Sequence, residues 1–163
     1  MEFTEIERKF LVLSNQFKEN AHEHYRIVQG FLNSDPARVV RIRLSGKEAW
    51  ITVKGIGDSS GLSRFEWEKE LDIREAEALL ELCEPGRIEK TRYLVQFGAT
   101  LFEVDEFYGE NTGLVIAEAE LESSDQRIDI PGWLGEEVTG QKAYYNSQLS
   151  QNPYSNWKKD QAP

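Results

Sequence analysis

Charged side chains recur at every second position in several segments of this 163-residue chain. Near the N-terminus, Glu5, Glu7 and Lys9 alternate with Ile6 and Phe10 in this way. Because successive side chains of a β-strand point to opposite faces, such spacing places the charged groups together on one face. The same pattern predicts charged faces elsewhere, with the basic residues Arg41, Arg43, Lys54, Arg64, Lys90 and Arg92 and the acidic residues Glu66, Glu68, Asp105, Glu118 and Glu120.

These two sets of residues suit two different partners. Arginine presents a planar fork that matches phosphate oxygens, and lysine supplies a compact positive charge. Carboxylates repel phosphate but are preferred ligands of Mg²⁺ and Mn²⁺, which bridge protein carboxylates and substrate phosphates. A chain of linked phosphates with a divalent metal would therefore satisfy both sets.

Each charged face, taken alone, is also typical of an antiparallel sheet with one face packed on the core and the other exposed to solvent. Ordinary wet faces are rich in Thr, Ser, Gln and Asn, whereas these positions are nearly all Glu, Asp, Lys or Arg. Exposed ion pairs contribute only about 0–1 kcal/mol each, so stability does not explain this density of charge. The pattern favours a functional site.

The alternation predicts eight strands, near residues 4–12, 24–32, 37–44, 48–54, 63–71, 89–97, 100–107 and 114–122. Short connections at Ser45–Lys47 and Gly98–Ala99 indicate hairpins and hence antiparallel neighbours. Eight strands can close into a barrel whose interior holds one small ligand. We therefore expect a mainly β fold of the α+β class, a closed eight-stranded antiparallel β-barrel with a few flanking helices.

Helices are expected at three places. The clearest runs from Asp72 to Glu84, where Asp72 and Glu75 fit a capping box and Pro85 follows. Shorter helices are predicted at 15–22 and 141–149. The polar residues 150–163 are expected to form a loose tail behind a single domain over residues 1–149.

The composition limits the function and the compartment. Nineteen basic residues stand against 29 acidic ones, a net charge of −10, which argues against binding duplex nucleic acid or an anionic membrane through bulk charge. The single cysteine, Cys83, excludes an internal disulfide framework. The acidic N-terminus is unlike a signal peptide and no apolar run is long enough to span a bilayer, so we expect a cytoplasmic protein. Whether it forms a homodimer is left open.

The order of the motifs resembles that of the CYTH superfamily, the triphosphate tunnel metalloenzymes. The segment Glu5-Ile6-Glu7-Arg8-Lys9 is similar to the family's N-terminal E-x-E-x-K signature. The matching segments that follow are Arg41-Ile42-Arg43, Thr52-Val53-Lys54-Gly55, Glu66-Trp67-Glu68, Lys90-Thr91-Arg92-Tyr93, Asp105, Glu118-Ala119-Glu120, Gly135-Glu136-Glu137-Val138-Thr139 and Tyr144-Tyr145-Asn146. The short bacterial inorganic tripolyphosphatases are the members most similar in length and in these segments.

The resemblance implies a tunnel that binds a triphosphate together with Mg²⁺ or Mn²⁺. On that similarity, the phosphate-binding residues are Lys9, Arg41, Arg43, Lys54, Lys90 and Arg92, and the alternation of charged residues adds Arg64. The implied metal ligands are Glu5, Glu7, Glu118, Glu120 and Asp105, and Lys9, Glu66 and Glu68 are the candidates for catalysis and for positioning water.

The reaction we expect is attack of a metal-oriented water on the terminal phosphoryl group of tripolyphosphate or a related triphosphate. Lys9 would help to activate the water, provided that neighbouring cations or burial lower its pKa. Two alternatives stay open: a nucleotide triphosphatase or class IV adenylate cyclase of the same fold, and a non-catalytic module that binds organic phosphates.

One residue departs from the family pattern. Short members often carry a tyrosine after Gln-Gly in the second strand, where this chain has Phe31, which cannot relay a proton. Three explanations are open: Lys9 and a carboxylate suffice, Tyr25 substitutes, or hydrolysis is slower than in the relatives.

Overall fold

Nine β-strands form the framework of the structure, a computed structural model in which residues 3–157 are described. The strands are β1 (Thr4–Val12), β2 (Glu23–Asn33), β3 (Arg38–Ser45), β4 (Glu48–Gly57), β5 (Ser63–Leu71), β6 (Ile88–Phe97), β7 (Thr100–Phe107), β8 (Val115–Glu120) and β9 (Leu134–Glu137). The first eight agree with the predicted strands to within a few residues. The alternation of charged and apolar residues is thus a correct guide to the strands.

The first eight strands form a closed antiparallel barrel, in the order β5-β4-β3-β2-β6-β7-β8-β1. Closure occurs where Thr4–Ile6 of β1 pair with Ser63–Phe65 of β5, so this seam is short. Further along the same edge of β1, Phe10 and Val12 pair with the four-residue strand β9, which lies beside the barrel. The predicted eight-stranded barrel is confirmed, and β9 is an addition that the sequence pattern did not predict.

The interior of the barrel, or lumen, changes from charged to apolar along its length. One end is filled by an apolar cluster that we call the floor, whose buried members are Phe31, Val39, Ile88, Phe107, Leu114, Ile116 and Leu149. Ile88 is two residues from Lys90, and Ile116 is two residues from Glu118, so these side chains share the charged face of their strands. The floor therefore closes one end of the charged part of the lumen.

The other apolar cores lie outside the barrel. Helix α2 (Ile73–Leu80) begins with the predicted capping box of Asp72 and Glu75 and packs its apolar side on β2, β3 and β4. Helix α1 (Phe17–Asn20) is a single turn within the predicted helix at 15–22, and it buries Phe17. The predicted helix at 141–149 is instead a 3-10 turn (Lys142–Tyr144) followed by helix α3 (Asn146–Gln151), because extended Tyr145 separates them.

The C-terminal segment differs from the expected loose tail over residues 150–157. Ser150 is buried, a 3-10 turn spans Tyr154–Asn156, and the Trp157 ring packs edge-on against Tyr144 and Tyr154. These aromatic contacts continue the apolar floor to the outside of the barrel. Residues 158–163, the rest of the predicted tail, lie outside the described residues. Within residues 3–157, no helix has the length and apolar character needed to cross a membrane.

Candidate active site

The charged part of the lumen forms a cavity of about 250 Å³. Its lining is drawn from all eight strands of the barrel and from the start of α3, and it consists of Glu5, Glu7, Lys9, Phe31, Val39, Arg41, Arg43, Lys54, Arg64, Glu66, Glu68, Lys90, Arg92, Glu103, Glu118, Glu120, Asn146 and Ser147. Every residue predicted for the site except Asp105 therefore lines one shared cavity. The scattered motifs of the sequence converge because the barrel closes.

Charges of opposite sign lie on opposite sides of this cavity. The acidic wall comprises Glu5, Glu7, Glu66, Glu118 and Glu120 on the contiguous strands β8, β1 and β5. The basic wall comprises Arg41, Arg43, Lys90 and Arg92 on β3 and β6, which flank β2. In the strand order, β1 and β2 are separated by three strands in either direction, so the two walls face each other across the lumen.

The acidic wall contains a group of carboxylates arranged closely enough to hold a metal ion. One carboxylate oxygen from each of Glu5, Glu66 and Glu120 lies within 4.8 Å of the others. Lys54 Nζ on β4 is 3.1 Å from Glu5 and 3.4 Å from Glu66, and Arg64 Nε is 3.7 Å from Glu5. The carboxyl set is the oxygen-rich type that suits Mg²⁺ or Mn²⁺. Glu66, predicted for catalysis, is therefore placed with the candidate metal ligands.

Crowding of like charges on the acidic wall is visible in its pKa values. Burial, together with Glu118 and Glu5, raises the pKa of Glu7 to about 8. Burial likewise raises the pKa of Glu66 to about 7, with Glu5 adding to the effect, and it raises the pKa of Glu120. A divalent cation bound here would stabilise the ionised carboxylates and remove this repulsion.

Lys9 on β1 is held in its charged form. Its ammonium lies 3.1 Å from a carboxylate oxygen of Glu118. Burial opposes the charge, but Glu118 and Glu7 outweigh it, and the pKa of Lys9 is raised. The condition on which Lys9 was expected to activate water, a lowered pKa, is therefore not met in this structure.

On the basic wall, Lys90 and Arg92 have a buried counterion in Asp105 of β7. Asp105 is 2% exposed, accepts hydrogen bonds from Arg92 Nε and Nη2 at 2.8 and 2.9 Å, and lies 2.8 Å from Lys90 Nζ. These two cations hold the pKa of Asp105 well below its usual range. Asp105, which the sequence motifs imply to be a metal ligand, is in this structure the counterion of Lys90 and Arg92 and lies behind the cavity surface.

The other two cations of the basic wall have few protein partners. Arg43 donates through Nε to Gln29 Oε1 at 2.8 Å, and no carboxylate among residues 3–157 lies within ion-pairing distance of it. Burial, with Arg41 and Arg92 nearby, lowers the pKa of Arg43. Arg41 donates from Nη2 to Thr52 Oγ1 at 3.0 Å, yet its buried Nε has no acceptor in the described structure. A cation that is removed from water without full pairing lowers the stability of the folded protein. Arg41 and Arg43 therefore indicate an anionic ligand.

Sequence reasoning missed several polar residues of the site. Glu103 on β7 lines the cavity and lies 3.3 Å from Arg92, and its place in the alternating pattern could have revealed it. Gln29 and Thr52 are fully buried among the arginines, at positions of the same period-two pattern. Asn146 and Ser147 reach the cavity from α3. The segment Tyr144-Tyr145-Asn146 matches the family, but its spacing alone assigns no role to Asn146.

The surroundings of Lys9 also bear on the replacement of the family tyrosine by Phe31. Phe31 is buried in the floor. Tyr25 pairs with Arg92 across the β2–β6 ladder, whereas the aromatic ring that Lys9 contacts belongs to Tyr145, with Nζ 5.1 Å from the ring centroid. The same ring lies 5.0 Å from the Arg64 guanidinium carbon. Tyr145 is therefore the tyrosine that the structure places beside Lys9.

A closed eight-stranded barrel with carboxylates facing buried cations across its lumen defines the class of protein: a β-barrel whose interior is built for a charged ligand. The chain belongs to the CYTH domain family, which it matches over residues 4–152. The resemblance seen in the sequence motifs is thereby confirmed.

Two curated relatives are similar over nearly the whole chain. An inorganic triphosphatase of Acetivibrio thermocellus is 47% identical over 156 residues, covering 94% of this chain and 97% of that protein. An inorganic triphosphatase of Nitrosomonas europaea is 39% identical over 151 residues, covering 90% and 97%. Among solved structures, the crystal structure of the inorganic triphosphatase NE1496 is similar with a TM-score of 0.64 and 36% identity, covering 89% of this chain and 96% of that one.

Proposed function

We propose that this protein hydrolyses inorganic tripolyphosphate to diphosphate and phosphate with the help of Mg²⁺ or Mn²⁺. The observation that carries the proposal is the pairing of two incomplete walls across one cavity. One is a carboxylate cluster suited to a divalent metal. The other holds Arg43, which has no carboxylate within ion-pairing distance among residues 3–157, and Arg41, which has only Glu68 at 3.9 Å and a buried Nε without an acceptor. The names of the two curated relatives support the same reaction.

In this proposal the basic wall binds and orients the substrate. Arg41, Arg43, Lys90 and Arg92 approach from two strands, which fits several oxygens of linked phosphates, and they neutralise the charge that spreads over these oxygens during phosphoryl transfer. Lys54 and Arg64 lie beside the acidic wall, where they bind phosphate oxygens next to the metal site. The sealed floor holds the substrate at one end of the lumen.

The acidic wall supplies the metal site and accepts the proton of the attacking water. Glu5, Glu66 and Glu120 would hold the ion, which would neutralise phosphate charge and lower the pKa of a bound water. Glu7, which is not one of these three ligands and whose pKa is raised to about 8 in the metal-free protein, is the candidate to accept the proton. Lys9, which stays charged beside Glu118, acts as a fixed cation on the phosphoryl oxygens.

The proposal is tested by measuring phosphate release from tripolyphosphate, ATP and thiamine triphosphate with Mg²⁺, with Mn²⁺ and with a chelator. We expect tripolyphosphate to be hydrolysed fastest, only with metal, and with diphosphate and phosphate in equal amounts. Cyclic AMP formed from ATP would replace the proposal by a cyclase. Tight tripolyphosphate binding without any hydrolysis would replace it by a binding module.

Glu120→Gln tests the metal site itself. Glu120 has no ion pair within the described part of the chain, so the substitution removes a candidate metal ligand and leaves the salt bridges of the lumen in place. We expect the Mg²⁺ concentration for half-maximal activity to rise by about tenfold or more, the low end of what altered metal surroundings cost. Glu77→Gln, on the exposed side of α2, is the matched control. An unchanged metal dependence of the Glu120 variant would remove this residue from the metal site.

A further inference from the structure

Asn146, the first residue of α3, connects the cations of the basic wall. Its Oδ1 accepts hydrogen bonds from Lys90 Nζ at 2.9 Å and from Gln29 Nε2 at 2.8 Å. Gln29 in turn accepts from Arg43 Nε through its own Oε1 at 2.8 Å. A continuous line of hydrogen bonds therefore runs from Arg43 on β3, through Gln29 on β2 and Asn146 on α3, to Lys90 on β6.

The two cations at the ends of this line fix the orientation of both amides. A guanidinium and an ammonium can only donate, so each must face an amide oxygen. Arg43 therefore requires the oxygen of Gln29, which turns the Gln29 nitrogen towards Asn146. Lys90 requires the oxygen of Asn146, which leaves Asn146 Nδ2 directed away from both neighbours.

The free end of Asn146 belongs to the cavity. In residues 3–157, every hydrogen bond of this side chain runs through Oδ1, and none uses Nδ2. Asn146 lines the cavity beside Lys90 and Arg43, next to Ser147. The amide nitrogen carries two protons and lies in a cavity lined by cations. It can therefore donate a hydrogen bond to an oxygen of a bound phosphate.

The position of Asn146 is fixed by packing. Leu149, three residues further along α3, is fully buried in the floor. Gln29 and Lys90 are 0% and 1% exposed, so loss of Asn146 would leave the buried amide nitrogen of Gln29 without an acceptor among residues 3–157 and Lys90 with Asp105 alone. Asn146 thus joins the apolar floor, which holds α3, to the charged cavity above it.

We propose that Asn146 is a substrate-binding residue of this site, which donates from Nδ2 to a phosphate oxygen while its Oδ1 positions Lys90 and, through Gln29, Arg43. The inference rests on the proposed function, because the ligand it names is the same polyphosphate. It adds a residue of the C-terminal helix to a site whose residues predicted from the sequence all lie on strands.

Two substitutions separate substrate contact from positioning. Asn146→Asp keeps the shape and an oxygen that can accept from Lys90 and Gln29, but it replaces the donating nitrogen by a charged oxygen. Asn146→Ala removes both functions. If Asn146 only positions its neighbours, the Asp variant will resemble the wild-type protein and the Ala variant will be impaired. If Nδ2 contacts phosphate, the Asp variant will be impaired at least as strongly as the Ala variant.

The experiment measures the Kd of tripolyphosphate by isothermal titration calorimetry without metal, and KM and kcat with Mg²⁺. We expect Asn146→Asp to raise Kd and KM by about tenfold or more, the size typical of a lost hydrogen bond to a charged group. The control is Gln148→Ala on the same helix, whose side chain makes one hydrogen bond within residues 3–157, to the Ser34 carbonyl at 3.5 Å, and does not line the cavity. Thermal unfolding checks that each variant is folded, and the isosteric Asp variant decides the question if Asn146→Ala does not fold.

The outcomes distinguish this inference from the proposed function. A wild-type Kd in the Asp variant would overturn the substrate contact of Asn146. Failure of the wild-type protein to hydrolyse tripolyphosphate that it binds would overturn the proposed reaction, while the binding comparison would still test Asn146. Absence of tripolyphosphate binding by the wild-type protein would overturn both.

Discussion

The acidic wall and the basic wall carry buried charge in different ways. On the acidic wall, Lys9, Lys54 and Arg64 lie among the carboxylates, but burial and mutual repulsion still raise the pKa of Glu7 and Glu66. The basic wall divides its cations into two pairs. Lys90 and Arg92 share Asp105, whereas Arg41 has only a 3.9 Å contact with Glu68 beside its neutral partner Thr52, and Arg43 has only the neutral partner Gln29.

This difference indicates which charges serve the fold and which serve a ligand. A buried ion whose partners are protein groups contributes to a network that must stay intact, and removal of one member is costly. A buried ion without such a partner weakens the empty protein and becomes favourable only when a ligand is bound. Asp105 belongs to the first kind and Arg43 to the second, and each can be tested by a single substitution.

The largest effect is expected for Asp105→Asn. The change removes the charge that holds Lys90 and Arg92 and turns an amide nitrogen towards groups that only donate. We expect the free energy of unfolding, measured by urea denaturation without metal, to fall by about 3–5 kcal/mol, as for other broken buried ion pairs.

The control for this substitution is Glu89→Gln, which breaks the exposed ion pair between Glu89 and Arg26. Its effect should not exceed about 1 kcal/mol, the range for exposed pairs. Unchanged stability of Asp105→Asn together with a shifted metal dependence would instead restore Asp105 to the metal ligands that the sequence motifs imply.

A smaller effect of a different kind is expected for Arg43→Met. The methionine fills similar space without the charge, so the metal-free protein should be at least as stable as the wild type. Affinity for tripolyphosphate should fall by about 1.5–3 kcal/mol, the range for hydrogen bonds to charged groups, as measured by calorimetry. Arg38→Met, at the exposed start of β3, is the control. A less stable protein with unchanged affinity would show that Arg43 serves the fold.

The sequence was sufficient to predict most of the barrel and the set of charged residues. Alternation reveals a strand wherever one of its faces differs from the other, and Arg41 and Arg43 are a clear example between Val40, Ile42 and Leu44. The pattern cannot show which strands become neighbours. The separation into two walls depends on β1 lying between β8 and β5 and on β2 lying between β3 and β6, and both placements involve long-range pairings.

Other features of the site were not predictable because they depend on tertiary contacts. Asp105 has the spacing of a lumen residue, and only the structure shows that its carboxylate forms ion pairs with Lys90 and Arg92. Lys9 could equally have had a lowered or a raised pKa, since the sign depends on the 3.1 Å contact with Glu118. The role of Asn146 follows from the docking of a six-residue helix, which carries no charged pattern.

The last expected effect concerns the acidic wall and is a dependence of stability on pH. Folding raises the pKa of Glu7 from 4.5 to about 8 and that of Glu66 from 4.5 to about 7. The folded protein therefore binds more protons than the unfolded chain in this range. The stability of the metal-free protein should accordingly fall as the pH rises from about 5 to about 7. The lowered pKa values of Asp105 and Glu118 act in the opposite sense, but at lower pH.

Thermal unfolding of the chelator-treated protein at these two pH values measures the effect, and Glu7→Gln should reduce it because the amide does not titrate. Added Mg²⁺ binds ionised carboxylates, so it should raise the unfolding temperature more at the higher pH than at the lower one. An equal effect of Mg²⁺ at both pH values would mean that repulsion among the carboxylates is not what the metal relieves. The acidic wall would then resemble the Asp105 network, in which protein cations alone balance the charge.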